Sequence, residues 1–268
     1  MRIPTVVLSL VAVAAVSSAA VRESRAAQPP AAPDSKWEWT IAPYLWTAGI
    51  KLDVEANGNL VLGGDATFPD ILDKLDIAGM LHFEARHGKA GLLVDGLYLS
   101  LSDESSSSGN APIPNGTMAD TNLKMGLYEL GGFYRPGGGK GGFDFLFGAR
   151  DVDVSQTTDV TFPGPLGLTT SFDGSKNYLD AFAGARVMLP IGTRWNFIGR
   201  GDVAGGGTDI TWNGVASFGF SFDKAGKYTL QAGYRYMHIE LGQTTDRGTD
   251  ITNTITLSGP IVGFAFRF

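Results

Sequence analysis

The chain has 268 residues, no cysteine, and 21 Lys and Arg against 27 Asp and Glu, a formal net charge of −6. Without cysteine there is no disulfide framework and no thiolate chemistry, and the acidic balance argues against nucleic acid as a partner. The 37 glycines are about twice the usual share of ~7%, which suits tight turns and close strand packing better than helices.

Arg2 precedes an apolar run from Val6 to Val16, and Ser18-Ala19-Ala20 supplies the small residues that a signal peptidase needs. Residues 1–20 are therefore predicted to be a cleaved signal peptide. The run is shorter than the roughly 20 residues that span a bilayer as a helix. Its removal takes away only Arg2 and leaves a mature charge of 20 − 27 = −7. Residues 21–36, with three prolines, read as a flexible leader.

From Trp37 onward, ten stretches are long enough to cross a membrane as tilted strands of ~9–11 residues. They run over 37–50, 77–87, 90–102, 121–135, 143–153, 177–189, 194–203, 210–222, 228–241 and 253–268. The period-two pattern is cleanest in the second half. Trp195, Phe197 and Val203 oppose Arg194, Arg200 and Asp202; Trp212, Phe218, Phe220 and Phe222 oppose Asn213, Ser217 and Ser221. Charges keep to the face opposite the aromatics, as lumen-facing side chains would. Three strands depart from this rule. Asp95 shares a phase with Leu93 and Leu97, Glu129 with Leu127 and Met125, and the pattern slips between Arg150 and Asp151. A charge at the lipid midplane costs ~2–4 kcal/mol, so register-shifting bulges are expected at these places.

Connections alternate in length. The links 88–89, 136–142, 190–193 and 223–227 are short and turn-like, while 51–76, 103–120, 154–176 and 242–252 are longer and only 204–209 departs. Tight periplasmic turns and longer outer loops produce this rhythm in a membrane barrel. Within 51–76, Val61 to Phe68 is predicted to be an extra strand outside the membrane. Phe68, Ile71, Leu72 and Leu75 have the spacing of a short helix, expected on the rim rather than in the mouth. Twelve strands result if part of this loop enters the membrane. The last strand sets Phe264, Phe266 and Phe268 on one face, with Arg267 alone carrying charge on the other. It is predicted to close on residues 37–50. The fold class is all-β, a single antiparallel transmembrane β-barrel over 37–268; a soluble exported β-sandwich is the alternative.

Trp37-Glu38-Trp39 with Pro43-Tyr44-Leu45-Trp46, the block from His82 to Lys89, Val94 to Asp103, Gly233-Tyr234-Arg235-Tyr236 and the close from Leu257 to Phe268 resemble a group of proteobacterial outer-membrane β-barrel proteins. These blocks span most of the chain after residue 36. The resemblance implies an outer-membrane location in a Gram-negative bacterium and the lipid of that membrane as surroundings. It also implies that the terminal aromatics Phe264, Phe266 and Phe268 serve as a signal to the barrel assembly machinery. It implies no activity.

The predicted lumen face collects His82, Glu84, Arg86, Asp180, Arg186, Arg200, Asp202, Arg235 and Arg267, with Asp95 if the register slips. In a narrow barrel such charges pair and plug the interior, and a conducting path is the alternative. Two acidic or His–acid pairs lie near the outer mouth, Asp151 with Asp153 and His238 with Glu240. They could activate water, and the layout is similar to that of the omptins, ten-stranded outer-membrane proteases with acidic and His–Asp pairs. His238 departs from that pattern, because it is in phase with Tyr234 and Tyr236 and so belongs with an aromatic girdle. No cofactor and no metal site is predicted; His82-x-Glu84 lacks a third ligand. The expected role is structural, surface interaction or small-solute passage, with a mouth hydrolase as the alternative.

Overall fold

A computed structural model describes residues 36–106, 114–139, 141–164, 167–244 and 250–268. Of the predicted signal peptide and leader, only Lys36 falls within them.

Twelve strands and one short helix follow in chain order. They are β1 (Trp37–Trp46), β2 (Gly49–Ala56), β3 (Asn59–Ala66), α1 (Phe68–Leu72), β4 (Leu75–His87), β5 (Ala90–Ser106), β6 (Met118–Tyr134), β7 (Gly142–Thr161), β8 (Thr169–Ile191), β9 (Trp195–Gly206), β10 (Ile210–Ser221), β11 (Tyr228–Thr244) and β12 (Asp250–Arg267). Every pairing is antiparallel. The order β1-β4-β5-β6-β7-β8-β9-β10-β11-β12 returns to β1 and closes a ten-stranded barrel. At the seam Trp39 and Phe268 exchange both backbone hydrogen bonds, 3.2 and 3.0 Å, so the last residue completes the ring. A closed ring removes the edges that an open sandwich would keep.

The strands alternate strictly. Leu81, Leu92, Val94, Leu130, Phe145, Phe147, Leu179, Val203, Phe218 and Val262 point outward and are exposed. An apolar belt of this extent is a liability in water and a fit to lipid. Aromatic contacts reinforce it: Phe264 stacks on Phe222 at 5.8 Å and meets Phe266 at 5.0 Å.

The bulges expected at Asp95, Glu129 and Arg150/Asp151 are absent. The β5–β6 and β6–β7 ladders run without a register shift, pairing Asp95 with Glu129 and Glu129 with Arg150. The acids do face inward, and so do the leucines in phase with them: Leu93, Leu97 and Leu127 are buried while Leu92 and Leu130 face out. These strands are apolar on both faces because the lumen itself holds an apolar layer.

Two further differences concern the outer end, where the long connections lie. Much of what reads as outer loop is ladder: β5 continues to Ser106, β6 begins at Met118, β7 reaches Thr161 and β8 starts at Thr169. These extensions are Ser-, Thr- and Asp-rich on both faces, so they lack the greasy phase that marks a membrane strand. The first outer connection forms β2 and β3 outside the ring. β2 pairs with the outer half of β12, from Gly49↔Ser258 to Ala56↔Ile251, and β3 pairs with β2 alone. Between β3 and β4, α1 tucks a buried Ile71 into an apolar pocket shared with Trp46, Leu97, Leu127, Ile239 and Leu257. The helix thus closes on the mouth rather than resting on the rim, because its apolar side chains find the apolar lumen layer.

Candidate functional site

The lumen is layered along its axis. Nearest the outer end, Trp46, Leu97, Leu127, Val152, Met237, Ile239 and Leu257 form one buried apolar cluster. Below it the same strands present charge, and at the inner end, where the turns are short, lies a cavity of about 420 Å³.

The charged layer is one connected network. Arg135, just past β6, holds Asp144 of β7 with two bonds of 2.6 and 2.8 Å. Arg186 of β8 donates to Asp144 at 2.9 Å and also bonds Glu84 of β4. His82 links Glu84, 3.0 Å from Nε2, to Asp95 of β5, 2.9 Å from Nδ1. Tyr44 of β1 donates its hydroxyl to Asp95 at 2.8 Å. Arg235 of β11 lies 3.7 Å from Asp95, donates to Asn213 at 3.0 Å and stands 4.7 Å from the Trp46 ring centre. Asn213 donates to Asp202 at 2.9 Å. Asp202 and Glu129 are then shared by Arg150 and Arg200: Arg200 donates to each at 2.7 Å, and Arg150 donates twice to Glu129, at 2.9 and 2.8 Å, and once to Asp202.

Five arginines (135, 150, 186, 200, 235) meet five carboxylates (84, 95, 129, 144, 202), so that every carboxylate of the layer has at least one arginine beside it, and both ring nitrogens of His82 also face carboxylates. Partial pairing would leave an uncompensated buried charge, which is costly. A connected network drawn from nine of the ten ring strands is a stopper.

Of the residues predicted for the lumen, His82, Glu84, Asp95, Arg186, Arg200, Asp202 and Arg235 join this network. Arg86 pairs instead with Glu38, 3.2 Å from Nε. Asp180 faces inward and pairs with no cation among the described residues: it accepts from Thr208 N–H at 2.8 Å and Thr208 hydroxyl at 2.7 Å, and so ties down the connection between β9 and β10. Arg267 faces the inner cavity. Sequence reasoning omits Glu129, Arg135, Asp144 and Arg150, although counting alternate residues from Asp95 through its ladder partners would have placed Glu129 and Arg150 inside.

The mouth pairs are not brought together. Asp151 and Asp153 are on the outward face of β7, where Asn177 donates to Asp151 at 3.0 Å. His238 and Glu240 are on the outward face of β11, 4.0 Å apart, with three strands between β7 and β11. His238 stacks against Trp212, which stacks on Tyr236, so it sits in the aromatic girdle.

No family model and no curated relative matches the chain. Among solved structures it is similar to the outer-membrane protease OmpT of Escherichia coli, with 9% identity, 88% of this chain and 98% of that one covered, and a TM-score of 0.51. It is more loosely similar to the hydrocarbon channel CymD (11% identity, 87% and 88% covered, TM-score 0.31). A comparably loose match is Ail of Yersinia pestis (12%, 87% and 99%, TM-score 0.28). The OmpT likeness bears on the fold alone. By its closed antiparallel ring and apolar belt, the chain has the fold of an outer-membrane β-barrel protein.

Proposed function

We propose that the protein is a plugged barrel of a Gram-negative outer membrane that acts through the surface it presents beyond the lipid, not by passing solute. The observation that carries this is the connected network of paired charges across the lumen, with Arg150, Glu129 and Asp202 fully enclosed and an apolar layer above them. A water-filled path needs polar groups that face water, and these face one another. The polar ribbons support the same reading: β7 and β8 continue past the belt as a hairpin of nine residue pairs, from Asp153↔Asn177 to Thr161↔Thr169. Surface interaction is the role such a platform fits.

Single-channel recording in planar bilayers tests the reading. The purified folded barrel is expected to give no discrete conductance steps. Reproducible steps from the unaltered protein would overturn it. Membrane fractionation together with heat-modifiable gel migration checks the location and the closed barrel.

A further inference from the structure

The inner cavity is built asymmetrically. From β9 round to β1 its wall carries the apolar Ile198, Val215, Ala232, Ile261, Ala265 and Ala42 together with Arg200 and Arg235 of the charge network; the facing wall carries Arg86, Arg135 and Arg186 with Glu84. All three arginines of the facing wall are bound by carboxylates. Two cations at the open end are different. Lys227 precedes β11 and Arg267 lies opposite it on β12, where its N–H donates to the Lys227 carbonyl at 2.8 Å. Both side chains line the cavity. Neither head group has a hydrogen bond or a close ion pair among the described residues, and the carboxylates of Glu38 and Glu84, which line the same cavity, act on Arg267 only at longer range. Like charges set directly across a ladder destabilise a sheet, and an anion between them reverses the sign of that contact. The charge network seals the cavity above, so it is a blind pocket, and its volume falls within the range of small-molecule sites.

We propose that this inner cavity is a binding site for a small amphipathic anion. The anionic head sits between Lys227 and Arg267, and the apolar body lies along the wall formed by Ile198, Val215, Ala232 and Ile261. The ligand enters from the short-turn end and cannot pass through.

The test uses the full folded barrel in nanodiscs of zwitterionic lipid, with empty discs as blank, and equilibrium dialysis against phenyl phosphate. Inorganic phosphate supplies the head alone and benzyl alcohol the neutral body alone. Phenyl phosphate is expected to bind once per barrel, more tightly than either control and less tightly as salt is raised. The double variant Lys227→Gln with Arg267→Gln should bind about tenfold more weakly or worse. Arg267→Lys, which keeps the charge, should retain most of the affinity. Heat-modifiable migration of each variant verifies that it has folded. The proposal is overturned if phenyl phosphate does not bind, if the folded double variant binds it equally, or if either control binds as tightly.

Discussion

Arg150 and Glu129 are direct cross-strand partners on β7 and β6, joined by two bonds of 2.9 and 2.8 Å and both without solvent exposure. Glu129 also serves Arg200, so its loss leaves two guanidinium groups on the single carboxylate of Asp202. Removing one member of a buried pair costs about 3–5 kcal/mol, and Glu129→Ala is expected to lose stability on that scale. Glu129→Leu combined with Arg150→Met removes one charge of each sign and leaves Arg200 with Asp202. The double variant should therefore be more stable than Glu129→Ala. Urea titration of the folded fraction, read as the heat-modifiable band, measures both. An equal or larger loss in the double variant would show that charge balance is not what holds the lumen.

Beside that pair, Gly131 and Gly148 face each other across β6 and β7 and leave room for the Phe182 ring of β8. A Cβ at Gly148 would stand 2.3 Å from the Leu130 carbonyl, 2.5 Å from the Gly131 Cα and 2.8 Å from the ring. The ring in turn lies under Arg150 and Arg200, whose guanidinium carbons are 5.4 and 5.7 Å from its centre. Gly148→Ala is predicted to cost about 1–3 kcal/mol by overpacking. Adding Phe182→Leu should not restore the loss, because the nearest obstacles are backbone atoms. Full recovery in the same urea titration would place the strain in the ring instead.

The ring of ten strands was legible because a membrane barrel writes its fold in two signals, a period of two and alternating connection lengths. Both need only apolar and turn residues in place. The pattern misleads where it treats apolar as synonymous with lipid-facing: Leu93, Leu97 and Leu127 share a phase with Asp95 and Glu129 because the interior has its own apolar layer. The outer ribbons escape notice for the opposite reason, since strands wet on both faces carry no alternation. In the lumen, phase identifies the inward charges but not their partners. Asp180 and Asp202 look alike along the chain, yet one meets Thr208 and the other two arginines. That distinction depends on which strand ends come together across the barrel.

Helix α1 should respond to acid through Asp70. The Asp70 carboxylate accepts the Thr67 N–H at 2.8 Å and the Thr67 hydroxyl at 2.6 Å. The hydroxyl bond first, then the backbone bond, holds the exposed carboxyl below its ordinary range. A group whose folded pKa is lowered contributes stability that is fully present above its unfolded value, near 3.9 for aspartate, and is lost as pH falls through the folded value. The helix is only five residues long, so this bond at its start is a large share of what organises it locally, alongside the burial of Ile71. Hydrogen exchange at Ile71, Asp73 and Lys74, whose amides bond the carbonyls of Thr67, Pro69 and Ile71, reports on it directly. After correction for intrinsic rates, protection should be constant from about pH 7 to 5 and should fall below about pH 4. Asp70→Ala should show lower protection throughout and no such fall. A wild-type profile that stays flat into acid would mean that Ile71 packing alone holds the helix at the mouth.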